Sequence, residues 1–133
     1  MAYYESILRD LKPLLSLEEE SDKPYQSSFF ENHYRYIKTL QVLGRLDESL
    51  LNIYSLRKVS SSLSSNDYIS RLYQLFSDNY LFWSEEDQAL LYNNLAEEAH
   101  QDEAITLRKI EILIEKGLFK RAKSLLSQIK PEN

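Results

Sequence analysis

Cysteine is absent from this 133-residue chain, and glycine, proline and histidine are scarce, with two, three and two copies. A chain without cysteine cannot form a disulfide scaffold, a thiol nucleophile or a cysteine-based metal cluster. Two glycines are too few for the tight turns of a many-stranded sheet protein or for a glycine-rich phosphate loop. These absences exclude several classes of enzyme and of small secreted protein.

Long apolar runs and an excess of basic residues are also missing. No uninterrupted apolar stretch approaches the ~20 residues of a membrane-spanning helix. The first residues lack the basic region and apolar core of a signal peptide. The net charge of −5 has the wrong sign for a generic nucleic-acid binder. We therefore expect a cytoplasmic protein, with the nucleus as the alternative, that binds no nucleic acid and does not span a membrane.

The pattern that is present has the period of amphipathic helices, because apolar residues recur at intervals of three and four along nearly the whole chain. At this length the default is one domain, residues 1–133. The pattern predicts an all-α fold with about seven helices. Four of them are expected at residues 2–17, with an interruption at Pro13, and at 29–43, 46–58 and 67–80. A fifth starts at a hydroxyl cap, Ser84; a sixth is capped by Asp102 and closed by Gly117; the seventh covers residues 119–129. Residues 18–28 and 60–66 are expected to be loops.

Two segments of the chain repeat the same pattern around the two glycines. Each has glycine at a helix end, a large apolar residue two positions later and a small residue five positions later: Gly44, Leu46 and Ser49, and Gly117, Phe119 and Ala122. Related turns occur at residues 87–90 and 102–105. The glycines are 73 residues apart, close to two repeats of ~34 residues.

This pattern resembles the tetratricopeptide repeat, in which a Gly-x-aromatic-Asp-Glu-Ala-Ile turn joins two antiparallel helices. The resemblance implies stacked helical hairpins over residues 29–133, with residues 1–28 as a cap. The chain departs from the family at Ile37 and Ile110, where the first helix normally has a small residue, and at Leu56 and Ile129 in the second helix. An irregular helical bundle is the alternative fold.

No motif in the sequence indicates catalysis. The two histidines, His33 and His100, have no partner at metal-ligand spacing, and no nucleophile elbow, Walker loop or dinucleotide fingerprint occurs. His33 lies on the apolar side of its helix, where we expect a partly buried, hydrogen-bonded side chain. We therefore predict a protein that is not an enzyme and has no metal and no cofactor.

Charge and aromatic residues show two local features. Between Arg71 and Arg108 the chain has eight acidic residues and no lysine or arginine, whereas the segment from Arg108 onward has a net charge of +4. This asymmetry indicates either solvated helices with acids at their N-terminal turns or a polarised surface whose acidic side receives a basic peptide or subunit. Phe82 and Trp83 are expected to form an apolar loop that folds over the core or serves as an anchor for a partner.

The resemblance implies a non-enzymatic protein-interaction module, a scaffold or chaperone that holds a peptide or helix in a concave groove. The family lines this groove with the first helix of each hairpin, so the turn alignment predicts the partner-binding residues Glu31, Tyr34, Lys38, Gln41, Arg71, Gln74 and Asp78. These positions lack the Lys/Asn combination that clamps a C-terminal carboxylate. We expect a subunit or terminal module of a larger complex. The alternatives are a small secretion-type chaperone and a dimerising regulatory bundle, which would make the partner a second copy.

Overall fold

Seven α-helices are present in a computed structural model of the chain, which describes residues 2–19, 27–59 and 65–129. They are α1 (Ala2–Glu19), α2 (Ser27–Val42), α3 (Leu46–Val59), α4 (Asn66–Phe82), α5 (Glu86–Ala99), α6 (Glu103–Glu115) and α7 (Phe119–Gln128). The described residues contain no strand. The predicted all-α fold is therefore confirmed, and the helix bounds predicted as ranges agree within two residues.

The two predicted loops lie largely outside the described residues. The first of them begins later than expected, because α1 extends two residues further, to Glu19. The interruption predicted at Pro13 is not present, since α1 continues through this residue without a break. Residues 20–26, with Pro24, and residues 60–64 of the serine-rich segment are not described, and neither is the C-terminal segment 130–133. No helix in the described ranges is long and apolar enough to cross a membrane.

The chain divides into two compact units, residues 1–68 and 69–133. In the first unit, α1 packs against α2 and α2 packs against α3. Leu8 and Leu11 of α1 form a buried cluster with Tyr36 and Leu40 of α2. Burial of such side chains contributes about 1.5–3 kcal/mol each relative to exposure, so this cluster helps to hold α1 against α2.

In the second unit each helix packs against the next one. Ser70 near the start of α4 donates a hydrogen bond to the carbonyl of Ala96 near the end of α5, and Ser77 late in α4 donates to Ala89 early in α5. These two contacts show that α4 and α5 run in opposite directions. α5 packs against α6, and α6 packs against α7 through an aliphatic cluster around Leu113.

One type of turn joins α2 to α3, α4 to α5 and α6 to α7. Each turn contains one residue with positive φ: Gly44 (76°), Ser84 (59°) and Gly117 (77°). Its N–H donates to the carbonyl three residues earlier, and the next N–H donates to the carbonyl five residues earlier, with N···O distances of 2.8–3.1 Å. This pair of bonds is the Schellman motif, which satisfies the last carbonyls of the first helix. Gly44 and Gly117 lie at helix ends, as predicted, and both adopt the left-handed conformation.

The small residue five positions after each left-handed residue is buried. Ser49 and Ala89 have no exposed surface and Ala122 is 4% exposed. The N–H of each donates to the carbonyl of the residue that directly follows the left-handed one, and this bond begins the second helix. Two helices joined by this turn and packed together are called a hairpin below. The described residues contain three of them, α2–α3, α4–α5 and α6–α7.

The structure corrects two predictions about the turns and helix ends. Ser84 is not the N-cap of α5; Glu85 occupies that position, and no side chain caps the helix there. Ser84 instead adopts the left-handed conformation that closes α4, so its hydroxyl is not placed at the start of α5. The predicted apolar loop is wrong for Phe82, which is the last residue of α4, whereas Trp83 lies in the turn, with its ring centroid 5.8 Å from that of Tyr80. The cap at Asp102 is confirmed, since its carboxylate accepts from the N–H of Ile105 at 3.1 Å.

The apolar period also predicts that Tyr54, Leu91, Leu107 and Ile114 are buried in the core, but these side chains are exposed at the surface. The exposed fractions are 45% for Tyr54, 51% for Leu91, 45% for Leu107 and 46% for Ile114. The period identified the buried side correctly, but it did not distinguish its centre from its margins.

Candidate binding surface

Counting back from the left-handed residue of each turn gives three equivalent sets of first-helix positions. The sets are Glu31, Tyr34, Lys38 and Gln41 in α2; Arg71, Gln74, Asp78 and Leu81 in α4; and Ala104, Leu107, Glu111 and Ile114 in α6. The α2 set and the first three α4 residues are the predicted partner-binding residues. The α6 set was missed, although the same count from Gly117 identifies it in the sequence.

The α2 set is centred on a half-buried tyrosine. The Tyr34 ring stacks on Phe30 with the centroids 6.1 Å apart and an angle of 21° between the planes. The Lys38 ammonium lies 5.9 Å from the centre of the Tyr34 ring, a cation–π distance. Gln41 is only 5% exposed, so its side chain presents little surface to a partner.

The α4 set includes a buried carboxylate. Asp78 is 5% exposed, and its Oδ1 lies 2.7 Å from Nε of Arg108 in α6. This ion pair holds α6 against α4, so a partner cannot reach Asp78 without displacing Arg108. Gln74 and Arg71 are half-buried, and Gln74 donates a 3.4 Å bond to the Ser70 hydroxyl.

The α6 set is the most apolar and the most exposed. Leu107 and Ile114 are each nearly half exposed, and Glu111 accepts a 2.7 Å hydrogen bond from Nη1 of Arg108. The Arg108 guanidinium also lies 5.8 Å from the centre of the Phe82 ring. A single arginine therefore contacts a buried acid, a surface acid and an aromatic ring.

The end of α4 and the last half of α6 border an open cleft of about 390 Å³. Its apolar lining comes from Leu81, Phe82 and Ile114, and its charged lining from Arg108, Glu111 and Glu115. We call this feature the α4–α6 cleft. Its lining includes Leu81 from the α4 set and Glu111 and Ile114 from the α6 set.

The predicted residues lie in both units. Glu31, Tyr34, Lys38 and Gln41 lie in residues 1–68, and Arg71, Gln74 and Asp78 lie in residues 69–133. A groove that runs from α2 to α4 therefore stays a prediction. Within the second unit, the ion pair to Arg108 brings Asp78 together with Glu111.

The charge asymmetry of the sequence is partly neutralised by ion pairs inside the second unit. Besides the pair from Arg108 to Asp78, Lys109 lies 3.0 Å from Glu97, and Lys116 pairs with Asp87. Three basic residues of α6 and its end thus contact acids of α4 and α5. The sequence could not show this, because the acids and bases are 12 to 30 residues apart.

His33 is buried, as expected, and its Nε2 lies 3.4 Å from the Asn52 side-chain oxygen of α3. Burial lowers the pKa of His33 from its ordinary value of 6.5, and the contact with Asn52 opposes that shift. In the described part of the chain the other ring nitrogen has no hydrogen-bond partner. Across those same residues, no three histidine, aspartate or glutamate side chains are grouped so that they could hold a metal ion.

Comparison with known proteins finds no protein-family model, no curated protein and no solved structure that matches this chain. The shared turn geometry and the burial pattern are therefore the observations on which a functional interpretation depends.

Proposed function

We propose that this chain is a non-enzymatic module of the tetratricopeptide-like kind, which binds a segment of another polypeptide on the exposed side of its first helices, α2, α4 and α6. The observation that carries this proposal is that one hairpin turn occurs three times. Each copy has the same two backbone hydrogen bonds and a small buried residue at the same position. Repeated hairpins expose equivalent helix faces side by side, which is how such proteins build extended binding surfaces.

The α4–α5 hairpin gives the strongest support for the resemblance to the tetratricopeptide repeat. Ser77 occupies the position that Ile37 and Ile110 have in the other two hairpins. Ala96 occupies the position of Leu56 and Ile129. Small residues at these positions are what the family pattern requires. Both are buried, and the serine hydroxyl bonds directly to the facing helix. The middle hairpin therefore has every small residue of the pattern. It departs at the turn, where serine replaces glycine, and at Glu86, where the pattern has a large apolar or aromatic residue.

The proposal is tested by recovery of bound proteins from native cell extract. The first-helix variant, Tyr34→Ala with Leu107→Ser, should lose a protein that the parent chain recovers, because exposed apolar side chains at binding surfaces supply much of the affinity. The matched control is Tyr54→Ala with Leu91→Ser, which changes the same residue types on second helices. Leu91 matches Leu107 in exposure, and Tyr54 is more exposed than the half-buried Tyr34. Circular dichroism must show that both variants keep their helix content.

Recovery that is lost equally in both variants, or in neither, would contradict the proposed surface. The alternative of a dimerising bundle predicts a different result: the isolated chain would sediment as a tight dimer across a concentration series, and the first-helix variant would dissociate it.

A further inference from the structure

The α4–α6 cleft combines exposed apolar surface with a fixed arrangement of charges. Phe82 is 48% exposed and Ile114 is 46% exposed, and both line the cleft, from the ends of α4 and α6. Exposed large apolar side chains that line one cleft mark interaction sites more often than isolated ones do.

Arg108 does not give the cleft a positive charge. Its Nε bonds to the buried Asp78 at 2.7 Å, so these two opposite charges neutralise each other. Its guanidinium also contacts Phe82 and Glu111, which holds the side chain in one position. The charge that remains at the edge comes from Glu111 and Glu115, both of them exposed.

From this arrangement we infer that the α4–α6 cleft binds a basic, amphipathic segment of a partner polypeptide. An apolar side chain of the segment packs between Phe82 and Ile114, and its lysine or arginine residues pair with Glu111 and Glu115. The inference rests on the proposed function and adds the chemistry of the partner. An acidic segment is disfavoured, because its charges would lie against two carboxylates, and Arg108, the basic residue among the described lining residues, is already paired with Asp78.

Trp83, the only tryptophan, follows Phe82 directly in the sequence and reports on this end of α4. The probe is a helical 14-residue peptide of lysine and leucine with one apolar face, and the matched peptide has glutamate in place of lysine. We expect saturable quenching or a shift of Trp83 emission with the lysine peptide and none with the glutamate peptide. The response should weaken as salt is raised, because the edge carboxylates are exposed.

Two variants assign the binding to the cleft. Glu111→Gln with Glu115→Gln should lower the affinity for the lysine peptide about tenfold, because two exposed ion pairs are lost. Ile114→Ser should lower it by a similar factor, about tenfold, through lost apolar contact. The matched controls are Glu98→Gln with Glu103→Gln and Leu91→Ser, which remove equally exposed residues elsewhere in the second unit and should leave the affinity unchanged.

Equal binding of both peptides, absence of binding, or an equal loss in the control variants would overturn the inference. A second copy is the competing occupant, because α7 presents exposed Phe119 and Leu126 beside Lys120 and Lys123. Self-association that the cleft variants abolish would likewise overturn it. If the cleft variants still recover the cellular partner and the first-helix variant does not, the cleft assignment fails while the proposed function stands.

Discussion

The hairpins α4–α5 and α6–α7 have the same turn but are held together by different chemistry. In α4–α5, two serine hydroxyls donate to carbonyls of the facing helix at 2.8–2.9 Å, and the Tyr92 ring stacks on Phe76 with the centroids 4.8 Å apart. In α6–α7, the contact is aliphatic, around Ile110, Leu113 and Ala122. Ser77 and Ile110 occupy the same position relative to the turn. One backbone arrangement is thus compatible with a polar, close-packed contact and with an apolar one.

The largest expected effect on stability comes from enlarging the small residue that lies five positions after the left-handed residue of each turn. Ala89→Leu should destabilise the protein by about 3 kcal/mol, and Ala122→Leu by about 1–2 kcal/mol, within the usual range for overpacking. The Ser77 hydroxyl of α4 lies 2.8 Å from the carbonyl oxygen of Ala89, so the two helices are close together at this point. The neighbours of Ala122 are aliphatic side chains that can move aside. Urea unfolding of both variants measures the difference. Equal costs would show that the two contacts are equally tight.

The serine contact itself predicts the next effect. Ser77→Ala removes the only hydroxyl that bonds to the Ala89 carbonyl among the described contacts, and it should cost about 1 kcal/mol. Ser124→Ala, at an exposed position of α7, is the control and should change stability little. The unfolding midpoints of the two variants decide the point. A Ser77→Ala protein as stable as the control would mean that the hydroxyl is replaced by water or by repacking.

Substitutions at Ser84 and at Gly117 should change the stability of the protein in opposite directions. Ser84→Gly should stabilise the protein by about 0.5–1 kcal/mol, because glycine adopts positive φ without the steric cost that a side chain adds. Gly117→Val should destabilise by about 1–2 kcal/mol for the same reason. A Cβ built at Gly117 meets nothing within 4 Å, so its cost is confined to the backbone. Thermal unfolding measures both, and a stabilising Gly117→Val would contradict the left-handed turn.

The α2–α3 hairpin adds a small, pH-dependent effect. The pKa of His33 is lowered in the folded state, so the unfolded chain binds more protons in the range between the folded pKa and 6.5. Stability should therefore fall as the pH falls below about 6.5 and level off below the folded pKa. Unfolding midpoints measured from pH 7.5 to 5.5 test this, with His33→Gln as the control that lacks this component. Equal slopes for the two proteins would mean that His33 is not buried in its neutral form.

Helices and glycine turns could be predicted from the sequence, but the middle hairpin was only partly recognised. The apolar period placed the helix bounds because it is repeated many times along each helix, and glycine marked two turns because it adopts positive φ at least cost. Ser84 gave the opposite signal, since serine before acidic residues is typical of an N-cap. The burial of Ser70, Ser77 and Asn79 of α4 could not be predicted, because periodicity does not indicate which polar groups find a partner on a distant helix.

The surface of α6 was missed for a simpler reason. Leu107 and Ile114 match the apolar period, so they were assigned to the core, although their positions relative to Gly117 equal those of Tyr34 and Gln41 relative to Gly44. The ion pair between Arg108 and Asp78 depends on how two helices pack, which residue spacing does not encode.

Photo-crosslinking at Leu107 and Leu91 tests the central claim most directly. A photoreactive amino acid at Leu107 of α6 or at Leu91 of α5 probes two leucines with similar exposure, 45% and 51%, on a first and a second helix. If the first helices form the binding surface, the Leu107 probe forms a covalent adduct with a specific polypeptide in native cell extract, and the Leu91 probe does not. Adducts of equal yield at both positions, or an adduct at Leu91 alone, would contradict the assignment of binding to the first helices.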